Sequence, residues 1–492
     1  MRSTPSSASG SLPPRIRNCV LQAFALCSLV FIVVATQIPS SFLLDTPSIF
    51  RFSKRSTTDK FEHMFATKTK YWDQREGMNI NNDPAVEGAI LTFPGLADMN
   101  DQTPHQSKLE LIQTQLVVRH GIRYPTGGNI KEINNLLEKL KPYQDSLPTW
   151  MKNYALPYNM SVAGELAVAG KHEISKLGTR ARSKSGHEKP VIYLKEKYRI
   201  THTHITRTRD SAIAFVGSFF ENPEDVEYIE YPKDKDVLLR FFDQCARYQR
   251  EVKKNQTAQL QLHDFQKSSV LAKIALWLKY SLGLMQESIE FSSNDLMAVQ
   301  SACARLNSFA VFRFDIALYH HKHHWCSLMS MTFIHSLDYL DDLEQFYSIG
   351  GGYKINYEMA AVLLRELFST MKGRVNGSNT LVGNLFFAHA ETTLPLMTLM
   401  GYGDRSLLLA NSTDTEIKTR GFRTSILSPF AANIEFRLFK RKSSVQEFYV
   451  QILVNERKAK IPGCGHVFCK LSELEKQWDY YLNTYDFQKD CV

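Results

Sequence analysis

Three short stretches of this chain concentrate side chains that could do chemistry. The first is Arg119-His120-Gly121-Ile122-Arg123-Tyr124-Pro125. Two guanidiniums flank one imidazole, an arrangement that repels protons from the ring and favours its neutral, nucleophilic form. Arginine forks match the oxygens of a phosphate two at a time. Gly121 permits a close backbone approach, and Pro125 stiffens the exit from the turn. The physical reading is a histidine nucleophile with a tetrahedral anion held beside it. The second stretch is His389-Ala390-Glu391. A histidine there can hydrogen-bond a phosphoryl oxygen, and a carboxylic acid can protonate a departing alkoxide. The third is Thr206-Arg207-Thr208-Arg209-Asp210-Ser211-Ala212, followed by Ile213, Phe215 and Val216. Arg207 and Arg209 are rivals for a third cationic place, and on the residues alone either reads equally well as a surface cation.

Such groups work only if buried elements bring them together. Leu116-Val117-Val118 runs directly into Arg119, and Leu381 to Ala388 runs directly into His389. Apolar runs of this length suit central parallel strands covered on both faces. Ligands of open α/β sheets bind beyond the carboxyl ends of such strands, so both histidine motifs are expected at one crevice. Alternation along the second strand end predicts His389 and Glu391 on a single face. A Thr/His-rich strand giving way to a helix puts Arg207 at a junction. Residues 130–142, 268–283 and 356–372 have helical spacing, and 235–345 is mostly helical. The expected fold class is α/β, a central, mainly parallel sheet flanked by helices. Its body is residues 62–234 and 346–492, with an α-helical cap inserted over 235–345.

Bulk properties narrow the choice of partner. The 492 residues are 22% charged and 43% hydrophobic, which excludes collagen-like, low-complexity and wholly disordered readings. The formal charge is +9, but residues 1–60 carry +5 of it and leave +4 for the rest. A nucleic-acid binder needs a stronger, clustered surplus. Any anion must therefore be handled by a few well-placed cations.

Residues 19–36 contain no charge and follow Arg15 and Arg17. The run is long enough to cross a bilayer as a helix, and its basic flank keeps a tail of residues 1–18 in the cytoplasm. Residues 37–61 then form a stem. A cleaved signal peptide, cut after Val33-Val34-Ala35, is the competing reading. Either one sends the body into the secretory pathway. Sequons at Asn159, Asn255, Asn376 and Asn411 agree with that route, as do the six body cysteines, Cys245, Cys303, Cys326, Cys464, Cys469 and Cys491. Of these, Cys464 and Cys469 are close enough in sequence to pair across a Gly-containing turn. Three other features are set aside. The run His320-His321-Lys322-His323-His324-Trp325 reads as a solvated loop rather than a metal site, because adjacent histidines rarely converge on one ion. His202 and His204 read as a polar strand face rather than a crevice-facing pair. Cys303 and Cys326 read as cysteines that form disulfides rather than bind metal, with the pairing of Cys245, Cys303, Cys326 and Cys491 left open.

With these residues in view, the chain resembles the histidine acid phosphatases, and within them the multiple inositol polyphosphate phosphatases. Residues 119–125 meet the wider family's RHGxRxP signature, and AHAETTLPLMTLMGY (388–402) carries the His-Ala-Glu form of the inositol-phosphate branch. FATKTKYW (65–72), RFFDQCARY (240–248) and GGGYKINY (350–357) are also similar to that branch, and the likeness spans about residues 62–470. The resemblance implies that His120 is the nucleophile and Glu391 the proton donor. It makes Arg119, Arg123, Arg207 and His389 the phosphate ligands, favouring Arg207 over Arg209. The turn from Cys464 to Cys469 is similar to the C-terminal disulfide of related phytases. The activity implied is hydrolysis of inositol polyphosphates through a phosphohistidine, with no metal or other cofactor and a small-molecule polyphosphate as partner. Two alternatives stay open: a broad acid or bisphosphoglycerate phosphatase, and a catalytically silent, membrane-anchored binder of polyanions. Nothing in the sequence sets the oligomeric state.

Overall fold

The computed structural model describes residues 64–71, 109–186, 189–309, 324–442, 444 and 446–492, without the side chains of 305–309. The candidate anchor at 19–36, the tail and stem around it, and His320 to His323 lie outside the described residues.

The apolar run before Arg119 forms strand β1 (Leu109–Arg119), followed by α1 (Gly127–Leu140), α2 (Val168–Lys184), β2 (Tyr198–His202), α3 (Thr206–Phe219) and β3 (Tyr228–Glu230). A helical stretch follows, with α4 (Ser269–Ser281), α5 (Ser293–Phe309) and α6 (Met331–Ile349) the longest helices among its described residues. The chain returns through α7 (Ala361–Asn376) to β4 (Gly383–Ala388), α8 (Ala390–Met400), β5 (Asn433–Arg441), β6 (Phe448–Val454), β7 (Arg457–Ala459) and β8 (Phe468–Lys470). These strands form one mixed sheet in the order β3-β2-β4-β1-β5-β6-β7, with β8 also on β6. Neighbours from β3 to β1 run parallel, with Val118 opposite Phe387 and Arg119 opposite Ala388. From β5 onward the pairing is antiparallel. The expected parallel centre is therefore present, with an antiparallel half attached to β1.

Strand alternation explains why the central runs are apolar without interruption. Leu116 and Val118, with Leu385 and Phe387, pack on one face against Ile174, Leu177 and Phe215 of α2 and α3. Val117 and Phe386, one residue out of phase, join the larger core on the other face, with Ile130, Leu337 and Leu363. Each such side chain contributes about 1.5–3 kcal/mol of burial free energy. Two polar residues at the centre of the sheet bond to each other. Asn384 Nδ2 donates to Gln115 Oε1 (2.9 Å), and Gln115 Nε2 donates to the Leu367 carbonyl (2.7 Å).

The helices expected over 130–142 and 268–283 form close to those limits, whereas the one expected over 356–372 is broken at residues 359–360 into a short helix (Lys354–Glu358) and α7. Thr126 caps α1, accepting from the Asn129 amide, and Ile130, Ile133, Leu136 and Leu140 make its buried stripe. Ser268 caps α4 in the same way. Gly377 ends α7 at φ +80°, a conformation that glycine takes at little cost. The helical stretch shares one continuous core with the sheet, and α6 runs past residue 345 to Ile349. Cys245 pairs with Cys491, Cys303 with Cys326, and Cys464 with Cys469. Three disulfides belong to an oxidising, extracellular or luminal compartment.

Candidate active site

Three adjacent parallel strands, β2, β4 and β1, end side by side, and each hands the chain to a chemical motif. The ends are laced together: the His120 amide donates to the Ala388 carbonyl (3.0 Å) and the Thr203 amide to the Phe387 carbonyl (3.3 Å). His120 and His389 consequently lie with ring centroids 5.7 Å apart, edge to face.

The turn that carries His120 rests on α2 and α3. Its Gly121 amide donates to Ser211 Oγ (3.2 Å), and its Ile122 amide donates to Glu173 Oε2 (3.1 Å). Gly121 is required by packing: a Cβ there would lie 2.6 Å from the Gly170 carbonyl oxygen. His120 is buried, with Nδ1 2.9 Å from the Gly121 carbonyl. A carbonyl can only accept, so Nδ1 carries the proton and Nε2 keeps its lone pair. Burial, then the charges of Arg207, Arg119 and Arg123, hold the ring well below the usual imidazole range. The flanking guanidiniums do favour the neutral ring, as expected, but burial is the larger cause.

Arg119 is buried at the end of β1. Its Nη1 donates to the carbonyls of Thr67 (2.6 Å) and Ser428 (2.6 Å), and its guanidinium lies 4.6 Å over the Phe430 ring. Burial, together with Arg123, lowers it to about 9, so it remains a cation at neutral and acid pH. Arg123 Nη1 donates to the Tyr124 carbonyl (2.9 Å). Arg207 and Arg209 differ in position. Arg207 is half-buried in the first turn of α3, with Nη2 3.4 Å from His389 Nδ1, whereas Arg209 is exposed.

The expectation of strand alternation for His389 and Glu391 is not met. β4 stops at Ala388, His389 is the residue before α8, and Glu391 lies in that helix's first turn. His389 is buried, and Glu391 is exposed with its charge acting on both Arg119 and Arg207. The two stay at one site, where the charge of Glu391 acts on Arg119 and Arg207, although the chain turns from strand to helix between them. A carboxylate in a first helical turn also meets the positive end of the helix dipole.

One cation at the site escaped the sequence reading. Arg240, from the helical stretch, places Nη1 3.0 Å from His389 Nε2, and its Nε donates to Asp243 Oδ2 (2.8 Å). The neighbouring Leu239 carbonyl is held by Thr392 Oγ1 of α8 (2.7 Å), which fixes where Arg240 enters. Thr203 Oγ1 lies 2.9 Å from the same His389 nitrogen. Burial, then Arg207 and Arg240, hold His389 well below the usual imidazole range. Arg240 opens the RFFDQCARY segment, but nothing local marks it as a ligand. Glu173 was also missed. Its carboxylate accepts from the Tyr71 and Ile122 amides (2.8 and 3.1 Å), and burial raises it to about 7. His202 is buried beside Glu230 (3.4 Å), and His204 is half-buried. Of the histidine-rich run, His324 stacks on Trp150 at 4.9 Å. Among the described residues, no cluster of three or more His, Cys, Asp or Glu side chains could hold a metal.

The arrangement offers a neutral imidazole nitrogen as nucleophile, several guanidiniums for a tetrahedral anion, and one exposed carboxyl for proton transfer. Comparison with known proteins gives the chain a family. Multiple inositol polyphosphate phosphatase 1 of Homo sapiens is 27% identical over 460 residues, covering 87% of this chain and 88% of its own. Two crystal structures share the fold. The phytase from D. castellii has a TM-score of 0.65 at 18% identity, covering 87% of this chain and 93% of its own. The multiple inositol polyphosphate phosphatase of Bifidobacterium longum, in complex with inositol hexasulfate, has a TM-score of 0.60 at 14% identity, covering 84% and 97%. Residues 110–455 match the histidine phosphatase superfamily (branch 2), and with well over half of its length so matched, the chain belongs to that family.

Proposed function

We propose that the protein hydrolyses phosphomonoesters of inositol polyphosphates in two steps, through a phosphohistidine on His120. The observation that carries this reading is the meeting of His120, its Nε2 unprotonated, with Arg119, Arg123 and Arg207, whose charges all act on its ring. The substrate class rests on the human relative, whose own name is multiple inositol polyphosphate phosphatase, and on the bacterial one crystallised with inositol hexasulfate. Arg240 adds a further cation beside His389, in keeping with a substrate that carries several phosphates.

In the first step His120 Nε2 attacks phosphorus and the bond to the inositol oxygen breaks. Arg119, Arg123, Arg207 and His389 bind the equatorial oxygens, so positive charge is in place before the transition state forms. Glu391 gives its proton to the departing oxygen. In the second step the Glu391 carboxylate takes a proton from water as that water attacks the phosphohistidine, releasing phosphate and restoring both groups. Residues 62–234 and 346–492 act as the phosphatase body, and 235–345 as a cap that delivers Arg240. The chain passes through the secretory pathway, anchored or cleaved at residues 19–36. Asn159, Asn255, Asn376 and Asn411 are exposed, as glycan acceptors must be.

A substrate panel on the purified protein tests the reading. Preference for inositol hexakisphosphate over aryl phosphates and bisphosphoglycerate is expected, and the reverse order would sink the substrate assignment. His120→Ala should give neither turnover nor a labelled phosphoenzyme. Glu391→Gln should lose about 10²–10⁴-fold with inositol hexakisphosphate and less with p-nitrophenyl phosphate, whose leaving group departs without protonation. Label on another residue, or equal losses with both substrates, would overturn these roles.

A further inference from the structure

Helix α6 buries three aspartates, Asp338, Asp341 and Asp342. Burying charge is costly unless each group is paired. Arg420 bridges two of them, with Nε 2.7 Å from Asp342 Oδ2 and Nη2 2.7 Å from Asp338 Oδ2. Arg423 Nη2 lies 3.6 Å from Asp338, and Lys68 Nζ lies 2.8 Å from Asp341. Charge balance alone would explain these contacts, but it uses only one oxygen of Asp338 and one of Asp342.

The other oxygens hold backbone. Asp338 Oδ1 accepts from the Ala66 amide (2.9 Å), and Asp342 Oδ1 accepts from both the Thr424 amide (2.9 Å) and its hydroxyl (2.6 Å). Ala66 needs such a hold: its φ is +46°, a conformation that L side chains rarely adopt. The two pinned segments are the two that grip Arg119. Thr67, next to Ala66, gives one carbonyl to Arg119 Nη1. Ser428 gives the other, and its own amide is tied to the Thr424 carbonyl (2.9 Å). Two routes thus run from one cap helix to one guanidinium, each through a single short stretch of backbone.

We propose that Asp338 and Asp342 are positioning residues that aim Arg119 at the phosphoryl group by fixing the Thr67 and Ser428 carbonyls. This rests on the reading of Arg119 as a phosphate ligand. A displacement of about 1 Å at such a site costs on the order of 10²-fold in rate.

The test is a double-mutant cycle between Asp342→Ala and Arg119→Ala, read as kcat/KM for p-nitrophenyl phosphate and as inhibition by orthovanadate. Positioning through Arg119 predicts a loss approaching roughly 10²-fold for Asp342→Ala alone, with weaker vanadate inhibition. In the Arg119→Ala background the same change should cost little, because residues that act through one another are not additive. Glu435→Gln, which breaks a buried pair with Arg437 (2.6 Å) in β5, controls for destabilisation: it should lower the melting temperature and leave both readouts unchanged. Should Asp342→Ala not fold, Thr424→Val removes only the hydroxyl bond, and the same cycle decides. An undiminished loss in the Arg119→Ala background overturns the positioning role alone. Wild-type kcat/KM in Arg119→Ala itself overturns the phosphate-ligand reading beneath it.

Discussion

Gly170 is the position where a single methyl group should do the most damage to the site without touching a reacting atom. It lies in the first turn of α2 with its Cα facing the turn that carries His120. An alanine Cβ there would sit 2.1 Å from the Ile122 carbonyl oxygen and 2.7 Å from its amide nitrogen, where ordinary contact is 3.4–4 Å. Both atoms are backbone, so no side chain can swing away, and the turn must move by more than about 1 Å. The shift would also strain the bond from the Ala167 amide to the Ile122 carbonyl (2.9 Å) and the one from the Ile122 amide to Glu173 (3.1 Å). Gly170→Ala should therefore cost about 1–3 kcal/mol of stability from overpacking. It should also lower kcat/KM by roughly 10²-fold, the expected result of a 1 Å misplacement. The assay is kcat/KM with inositol hexakisphosphate and p-nitrophenyl phosphate, alongside melting by calorimetry. Gly217→Ala on α3 is the control, since a Cβ there meets nothing within 4 Å. That variant should keep full activity and gain about 0.5–1 kcal/mol. Kinetics within twofold of wild type in Gly170→Ala would refute the argument that this contact sets the nucleophile's place.

Further outcomes concern protons and charge. Arg207 is the largest charged contributor holding His120 neutral; Arg207→Gln should move the acid limb of kcat/KM to higher pH, and an unmoved limb in its residual activity would assign that limb elsewhere. Glu173 titrates near 7 in the fold and near 4.3 in an unfolded chain, so the folded state binds the extra proton between those values. Its contribution is present below the unfolded value and is lost as pH rises through about 7. Glu173→Gln should flatten the fall in melting temperature between pH 5 and 7, a term of at most about 3 kcal/mol; an unchanged slope would contradict it. Since arginines supply the positive charge, EDTA should leave turnover intact, and loss restored specifically by zinc or magnesium would refute the proposed chemistry.

How much of this was legible in the chain depends on how far each signal reaches. A strand buried on both faces must be apolar at every position, so β1 and β4 announce themselves locally, and the residues that follow them inherit the crevice. His120, Arg119, Arg123 and His389 were readable for that reason. The His389–Glu391 relation was misread because Ala390 fits either a strand or a helix, and the helix won as the chain packed α8 over the sheet. Arg207 and Arg209 share one helix two residues apart, about 200° around its axis, and only the packing of α3 decides which faces inward. Arg240, the grip of Thr67 and Ser428 on Arg119, and the pairing of Cys245 with Cys491 each join residues more than fifty positions apart. By itself the sequence determined which groups could do the chemistry and which strands would present them. The tertiary structure decided which cations converge and what holds them, because those contacts form between segments whose local patterns carry no record of one another.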